Sequence, residues 1–221
     1  MNKTEKRRGE LKEALIEAAE RAVVTIGPEG IRAREIAREV GCAVGAIYNV
    51  FPDLDAIYFA VNSRTLAAFE EFVAGRRRKT MRKSDTRQQA IGALVDLALA
   101  YFDFAAENQP RWRTLFEHRL AAPGRDLPEW YVDEQRRLFL LVEEPLGALR
   151  PDMTGDERML FARTMFSAVH GVVSLGLDEK VVATPHPVLR QQIATLVGSI
   201  GDGLLRAAGA EATAPRSRSV R

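Results

Sequence analysis

The chain has a single cysteine, Cys42, in 221 residues, which excludes an intramolecular disulfide framework. Charge of one sign is also missing: 32 Lys and Arg stand against 30 Asp and Glu, for a net charge of +2. Residues 1–50 carry nine basic and eight acidic side chains, so no broad basic footprint announces a nucleic-acid partner, and such a partner has to be argued from locally placed groups. The beginning MNKTEKRRGE lacks the apolar core of a signal peptide. Apolar stretches are broken by charges before the ~18 residues of a membrane helix, so the expectation is a cytoplasmic chain without a membrane partner. No segment alternates apolar and polar residues with period two, which excludes a sheet-based fold.

Enzyme signatures are equally scarce. There is no nucleophile elbow, phosphate loop or dinucleotide fingerprint, and Gly201-Asp202-Gly203 falls in helical sequence with no strand before it. His118 and His170 are isolated, and no cluster of His, Cys and carboxylates has metal-ligand spacing, so neither a metal nor a cofactor is expected.

What is present is helical periodicity over nearly the whole length, and 46% hydrophobic residues suffice for a real core. The expected fold is all-α with about nine helices. The spacing predicts a helix over 10–26 with Leu11, Leu15, Ala18, Ala19, Ala22 and Val23 inward, stopped by Gly27-Pro28. Two short helices follow over 33–40 and 44–50, then a long one from Pro52-Asp53 to about Gly75, after which Arg76, Arg77, Arg78 and Lys79 read as a solvated connection. Ser84 is a candidate cap for a helix to about Asn108, and Pro110 opens a shorter one to Leu120. Further helices are expected over 128–149, over 154–177 behind the capping-box spacing Thr154-Gly-Asp-Glu157, and over 187–208. Residues 209–221 are small and basic and read as a disordered tail.

Two-turn helices are unstable alone, so the pair over 33–50 implies packing on the helix over 10–26. Gly41, which tolerates positive φ, sits where a helix-turn-helix needs its turn. The run I-A-x-x-V-G-C-A-x-G-A-I-Y-x-x-F-P-D-x-D-A-I, from Ile36 to Ile57, resembles the signature of TetR/AcrR-type transcriptional regulators, usually I-A-x-x-A-G-V-S-x-G-x-L-Y-x-x-F. The likeness covers residues 10–58. It implies a DNA-binding helix-turn-helix domain over 1–55, with the second short helix in the major groove. The matching contact positions are Ala43, Val44, Gly45, Ala46, Tyr48 and Asn49, with Arg34 and Tyr48 at phosphate positions and Lys3, Lys6, Arg7 and Arg8 as a basic arm. Three departures stand out: the usual capping Ser is Ala43, the usual capping Thr or Ser is Arg32, and the usual Lys after the Phe is Leu54. Arg32 is expected to reach the phosphate that an apolar Leu54 cannot bind. Val44 and Ala46 reach only apolar base edges such as the thymine methyl, so direct readout should be sparse.

The resemblance also implies that residues 56–208 form a helical ligand-binding and dimerisation domain. Val169-His170-Gly171 is similar to the W-H-G element of one TetR subclass, with Val in place of Trp. Tyr101, Phe104, Trp112, Phe116, Trp130, Phe139, Met165, Phe166 and His170 are the candidates for an apolar effector pocket. The helices over 154–177 and 187–208, with small Gly198 and Gly201, are the candidate homodimer interface. The expected function is a ligand-responsive regulator, a repressor that binds a palindromic DNA operator as a homodimer and is released by a small apolar effector. The competing expectation is a constitutive DNA-binding or architectural dimer with a filled core and no effector.

Overall fold

The computed structural model describes residues 2–80, 87–117, 126–178 and 184–213, with the side chains of 77–80 and 209–213 outside that description. The described residues form nine α-helices and no strand: α1 (Lys3–Ile26), α2 (Ala33–Val40), α3 (Val44–Tyr48), α4 (Leu54–Thr80), α5 (Arg87–Glu107), α6 (Gln109–Glu117), α7 (Glu129–Leu149), α8 (Gly155–Asp178) and α9 (His186–Thr213). A 3-10 turn at Pro28–Gly30 follows α1. Ser84 and His118, named above as candidates, lie outside the described residues.

The chain divides into two compact units, Met1–Glu71 with Phe104–Gln135 and Phe72–Asp103 with Arg136–Arg221. In the first, Leu15, Ile16, Ala18, Ala19 and Val23 of α1 pack with Ile36 and Ala37 of α2, Ile47 of α3, Phe51, and Ile57, Tyr58 and Val61 of α4. At ~1.5–3 kcal/mol for each fully buried large aliphatic or aromatic side chain, this cluster is what holds the short helices. Two polar links reinforce it. Arg64 of α4 pairs with Glu13 and, at 2.8 Å, with Glu20 of α1, and the Tyr58 hydroxyl donates to the Pro28 carbonyl at 2.8 Å.

The second unit packs α5, α8 and α9 with the end of α4 and most of α7. Leu94, Ala98 and Phe102 of α5, Ala162, Val169 and Val173 of α8, and Leu189, Ile193 and Val197 of α9 are buried. Asp103 on α5 receives both Arg76 of α4 and Arg190 of α9. Burial alone would raise its carboxyl, but the hydrogen bonds and charges of the two guanidiniums outweigh that and hold it below the usual carboxylate range.

Several boundaries differ from expectation, each for a local reason. Helix α1 starts at Lys3, because Asn2 and Glu5 form a reciprocal capping box; Lys3, Lys6, Arg7 and Arg8 are thus helical. Helix α4 runs through Gly75 to Thr80. One glycine costs ~1 kcal/mol in a helix interior, and Arg and Lys after it are good helix formers. Arg76 is accordingly no solvated loop residue: it stacks on Phe72 at 4.3 Å and binds Asp103. Helix α9 reaches Thr213, into the segment read as a tail, while 214–221 lie outside the described residues. Gly201 serves packing inside the chain, since a Cβ there would lie 2.8 Å from Ile91 of α5. It is therefore not a surface notch for a partner chain. Nothing lies within 4 Å of the Cβ position at Gly198.

Candidate nucleic-acid interface

The turn between α2 and α3 depends on one glycine. Gly41 adopts φ 76°, ψ 32°, the left-handed region, and its N–H bonds to the carbonyls of Ala37 and Arg38. A side chain there would cost roughly 1–2 kcal/mol. Cys42 N–H then donates to the Ala37 carbonyl at 2.9 Å, closing the turn.

Neither short helix has a side-chain cap: Arg32 and Ala43 hold the cap positions in extended backbone, and neither makes a capping hydrogen bond. The helix α3 spans only Val44–Tyr48, two residues shorter than expected, with Asn49 as its C-cap in right-handed helical backbone. Five residues cannot stand alone in water. What anchors them is Ile47, fully buried at 0% exposure, together with the N–H of Phe51, which donates to the Ile47 carbonyl at 2.8 Å.

With Ile47 inward, the rest of α3 turns outward. Ala43, Val44, Gly45, Tyr48 and Asn49 are exposed and Ala46 is half-buried. Tyr48 is 50% exposed and Val44 38%, both large apolar surfaces left in water by a chain able to bury Ile47 completely. Beside them, charge is distributed unevenly. Arg38 is paired with Glu35 and Arg21 with Glu39, the latter at 2.6 Å, so the acidic groups of α2 are neutralised locally. Arg32 and Arg34 are exposed and make no ion pair among the described residues. Arg32 lies near enough to Tyr58 to oppose the rise in that hydroxyl's pKa caused by burial, Glu29 and Asp55. Leu54 begins α4 half-buried against the core, which explains why it is apolar.

The nine effector candidates are divided between the two units. Phe104, Trp112, Phe116 and Trp130 belong to the first, and Tyr101, Phe139, Met165, Phe166 and His170 to the second. In the second unit Phe166 stands 5.5 Å from Tyr101, 5.6 Å from Phe139 and 5.6 Å from the His170 ring, and the Tyr101 hydroxyl meets His170 Nδ1 at 2.8 Å. Burial lowers the His170 pKa, favouring a neutral ring. In the first, Trp112 and Phe116 are 5.5 Å apart, Trp112 buried and Phe116 43% exposed. Among the described residues no group of three metal-ligating side chains occurs.

Residues 94–196 match the family model described as tetracyclin repressor-like, C-terminal domain. No curated protein matches the chain. Among solved structures, a protein with unknown function from Rhodococcus sp. RHA1 is similar with a TM-score of 0.63 and 19% identity, over 89% of this chain and 94% of that one. A tetR-family transcriptional regulator from Streptomyces coelicolor is similar with a TM-score of 0.57 and 18% identity, over 95% and 91%. The fatty acid degradation regulator FadR from Bacillus halodurans has a TM-score of 0.57 and 16% identity, over 88% and 94%. At these identities the structures speak for the fold alone. The helix-turn-helix geometry around Gly41, together with the matched C-terminal region, makes the chain similar to TetR/AcrR-type transcriptional regulators.

Proposed function

We propose that the chain is a homodimeric repressor whose helix α3 enters the major groove of a two-fold symmetric operator and which leaves DNA when a small apolar effector binds. The observation that carries this reading is the outward face of α3: Ala43, Val44, Gly45, Tyr48 and Asn49 exposed around the buried Ile47, with Arg32 and Arg34 exposed at the start of α2. Arg32 and Arg34 supply phosphate contacts, Val44 and Ala46 apolar contact to base edges, and Asn49 a hydrogen-bonding reach to adenine. With so few polar groups, the deformability and groove width of the DNA carry much of the specificity.

Support for a homodimer comes from α8. By length and composition α5 and α8 are apolar enough to cross a membrane, contrary to expectation, yet they differ in burial: half of the most apolar window of α5 is buried within the chain but only 28% of that of α8. Leu160 and Leu175 on α8 are 68% and 59% exposed, and Val188 on α9 43%. An apolar helix face of this kind suits a second copy of the same chain. Effector response requires that the effector bind the two states with different affinity.

Tyr101, Phe104, Trp112 and Met165 are all buried, which favours the competing reading of a constitutive DNA-binding dimer with a filled core. Selection of bound duplexes from random sequence tests the main reading. It expects a two-fold symmetric consensus bound by two chains, with half-sites separated by about one helical turn or a multiple of it, ~34–36 Å each; absence of any enriched sequence overturns it. A melting-temperature screen with apolar compounds then separates the effector-responsive protein from the constitutive one.

A further inference from the structure

Helix α3 and the segments on either side of it carry no positive charge of their own. From Glu39 to Ser63 the chain has no Lys, Arg or His, while Glu39, Asp53 and Asp55 are acidic. The basic residues that bound this stretch are engaged: Arg38 with Glu35, and Arg64 with Glu13 and, at 2.8 Å, with Glu20. A surface offered to a polyanion gains nothing from a corner that is acidic and holds no cation.

Helix α1 brings a cation to that corner. Lys12 is exposed, and its ammonium stands over the Phe51 ring, 5.8 Å from the centroid. Phe51 is buried and tied to the last turn of α3, since its N–H donates to the Ile47 carbonyl at 2.8 Å. At the outer limit of cation–π distance and open to water, such a contact is weak. The ring therefore fixes where the ammonium stands without neutralising it. No carboxylate pairs with Lys12 among the described residues: Glu10 and Glu13, its acidic neighbours on α1, go to Lys6 at 3.9 Å and to Arg64. Arg8, one turn earlier on the same face of α1, is exposed as well, and like charges at this spacing disfavour the helix. An anion outside the chain offsets that cost.

We propose that Lys12 is a DNA phosphate contact, a cation lent by α1 to the end of α3, where the chain between Glu39 and Ser63 supplies none. Its partner is the sugar-phosphate backbone of the half-site whose bases meet α3. Arg32 and Arg34 serve the start of the helix pair, and Lys12 serves its end. A phosphate contact carries no base information, so Lys12 fixes the position of α3 on the duplex and leaves sequence preference unchanged. The inference rests on the DNA-binding reading above and adds to it a contact from a third helix.

A selected duplex, and duplexes varied at single positions, are titrated over a range of salt concentrations with full-length wild type, Lys12→Met, Lys12→Gln and Lys12→Arg. Thermal melting of each free protein is measured alongside. Methionine keeps an apolar stem against Phe51 and removes the charge, whereas arginine keeps the charge. The expected result is that Lys12→Met lowers the slope of log affinity against log salt by about 1 and weakens every duplex alike, roughly fivefold to tenfold at 0.1 M salt. Lys12→Arg keeps the wild-type slope, and both variants melt close to wild type. Lys12→Gln carries the charge removal if Lys12→Met does not fold. An unchanged slope after charge removal, a loss confined to one base position, or a slope lost in Lys12→Arg as well overturns the proposal. A lowered melting temperature with an unchanged slope also overturns it and leaves Lys12 a role in stability alone. Wild type that binds no duplex removes the DNA-binding reading and this inference with it; wild type that binds DNA with a slope indifferent to Lys12 loses this inference only.

Discussion

Helices α3 and α8 begin in opposite ways. At the start of α8, Thr154 N–H donates to Glu157 Oε2 at 2.8 Å and Glu157 N–H donates to Thr154 Oγ1 at 3.3 Å, a complete capping box on an exposed helix end. At the start of α3, Ala43 offers no side-chain acceptor at all. A long helix with many exposed residues uses local hydrogen bonds to fix its first turn. A helix of five residues is fixed by tertiary burial, and its outer surface is left to apolar and small side chains. Order in α3 is therefore borrowed from Ile47 and its neighbours, whereas the start of α8 is specified where it stands.

The contrast makes graded predictions. Ile47→Ala should cost the most, ~2–5 kcal/mol, since it removes the buried anchor of α3; denaturant unfolding measures it, and a cost below about 1 kcal/mol would mean that α3 is held by something else. Gly41→Ala should cost roughly 1–2 kcal/mol through the left-handed backbone, read in the same way. Ala43→Ser supplies the missing cap and should raise stability by up to ~1 kcal/mol, while Thr154→Ala should lower it by about the same amount. If Ala43→Ser has no effect, the α3 amides are already satisfied. The smallest effect concerns charge in the second unit. The folded Asp103 carboxyl lies below its unfolded value, so its contribution is present above the ordinary carboxylate pKa of about 4 and is lost as pH falls through the folded pKa. Asp103→Asn should therefore lower the melting temperature at pH 7, and the gap from wild type should close progressively below about pH 4.

Much of the first unit was legible in the sequence, because its signals are local. Gly27-Pro28, Gly41 and Pro52 punctuate three helices at the places where the chain turns, and the inward and outward sets of α3 follow from a 3.6-residue period. Boundaries were missed where a signal was short or overridden: Asn2 and Glu5 form a capping box too near the end to stand out, and Gly75 was outweighed by the helix formers after it. The place of Lys12 was invisible for a different reason. It lies far from Phe51 in sequence, and only tertiary packing shows its ammonium over that ring. Arg76 was misread for the same reason, since its partner Asp103 is on another helix. Gly201 showed as a small residue, but not which helix it faces.

The central claim is that the exposed face of α3, flanked by Arg32 and Arg34, reads DNA. The most direct test is to titrate a selected duplex with wild type and with Arg32→Ala/Arg34→Ala over a range of salt concentrations, alongside Asn49→Ala on duplexes varied at single positions. If both arginines contact phosphates, the double variant lowers the slope of log affinity against log salt by about 2 and weakens all duplexes alike, whereas Asn49→Ala loses about 1–3 kcal/mol at one base position only. An unchanged salt slope, with Asn49→Ala indistinguishable from wild type at every position, would contradict the account.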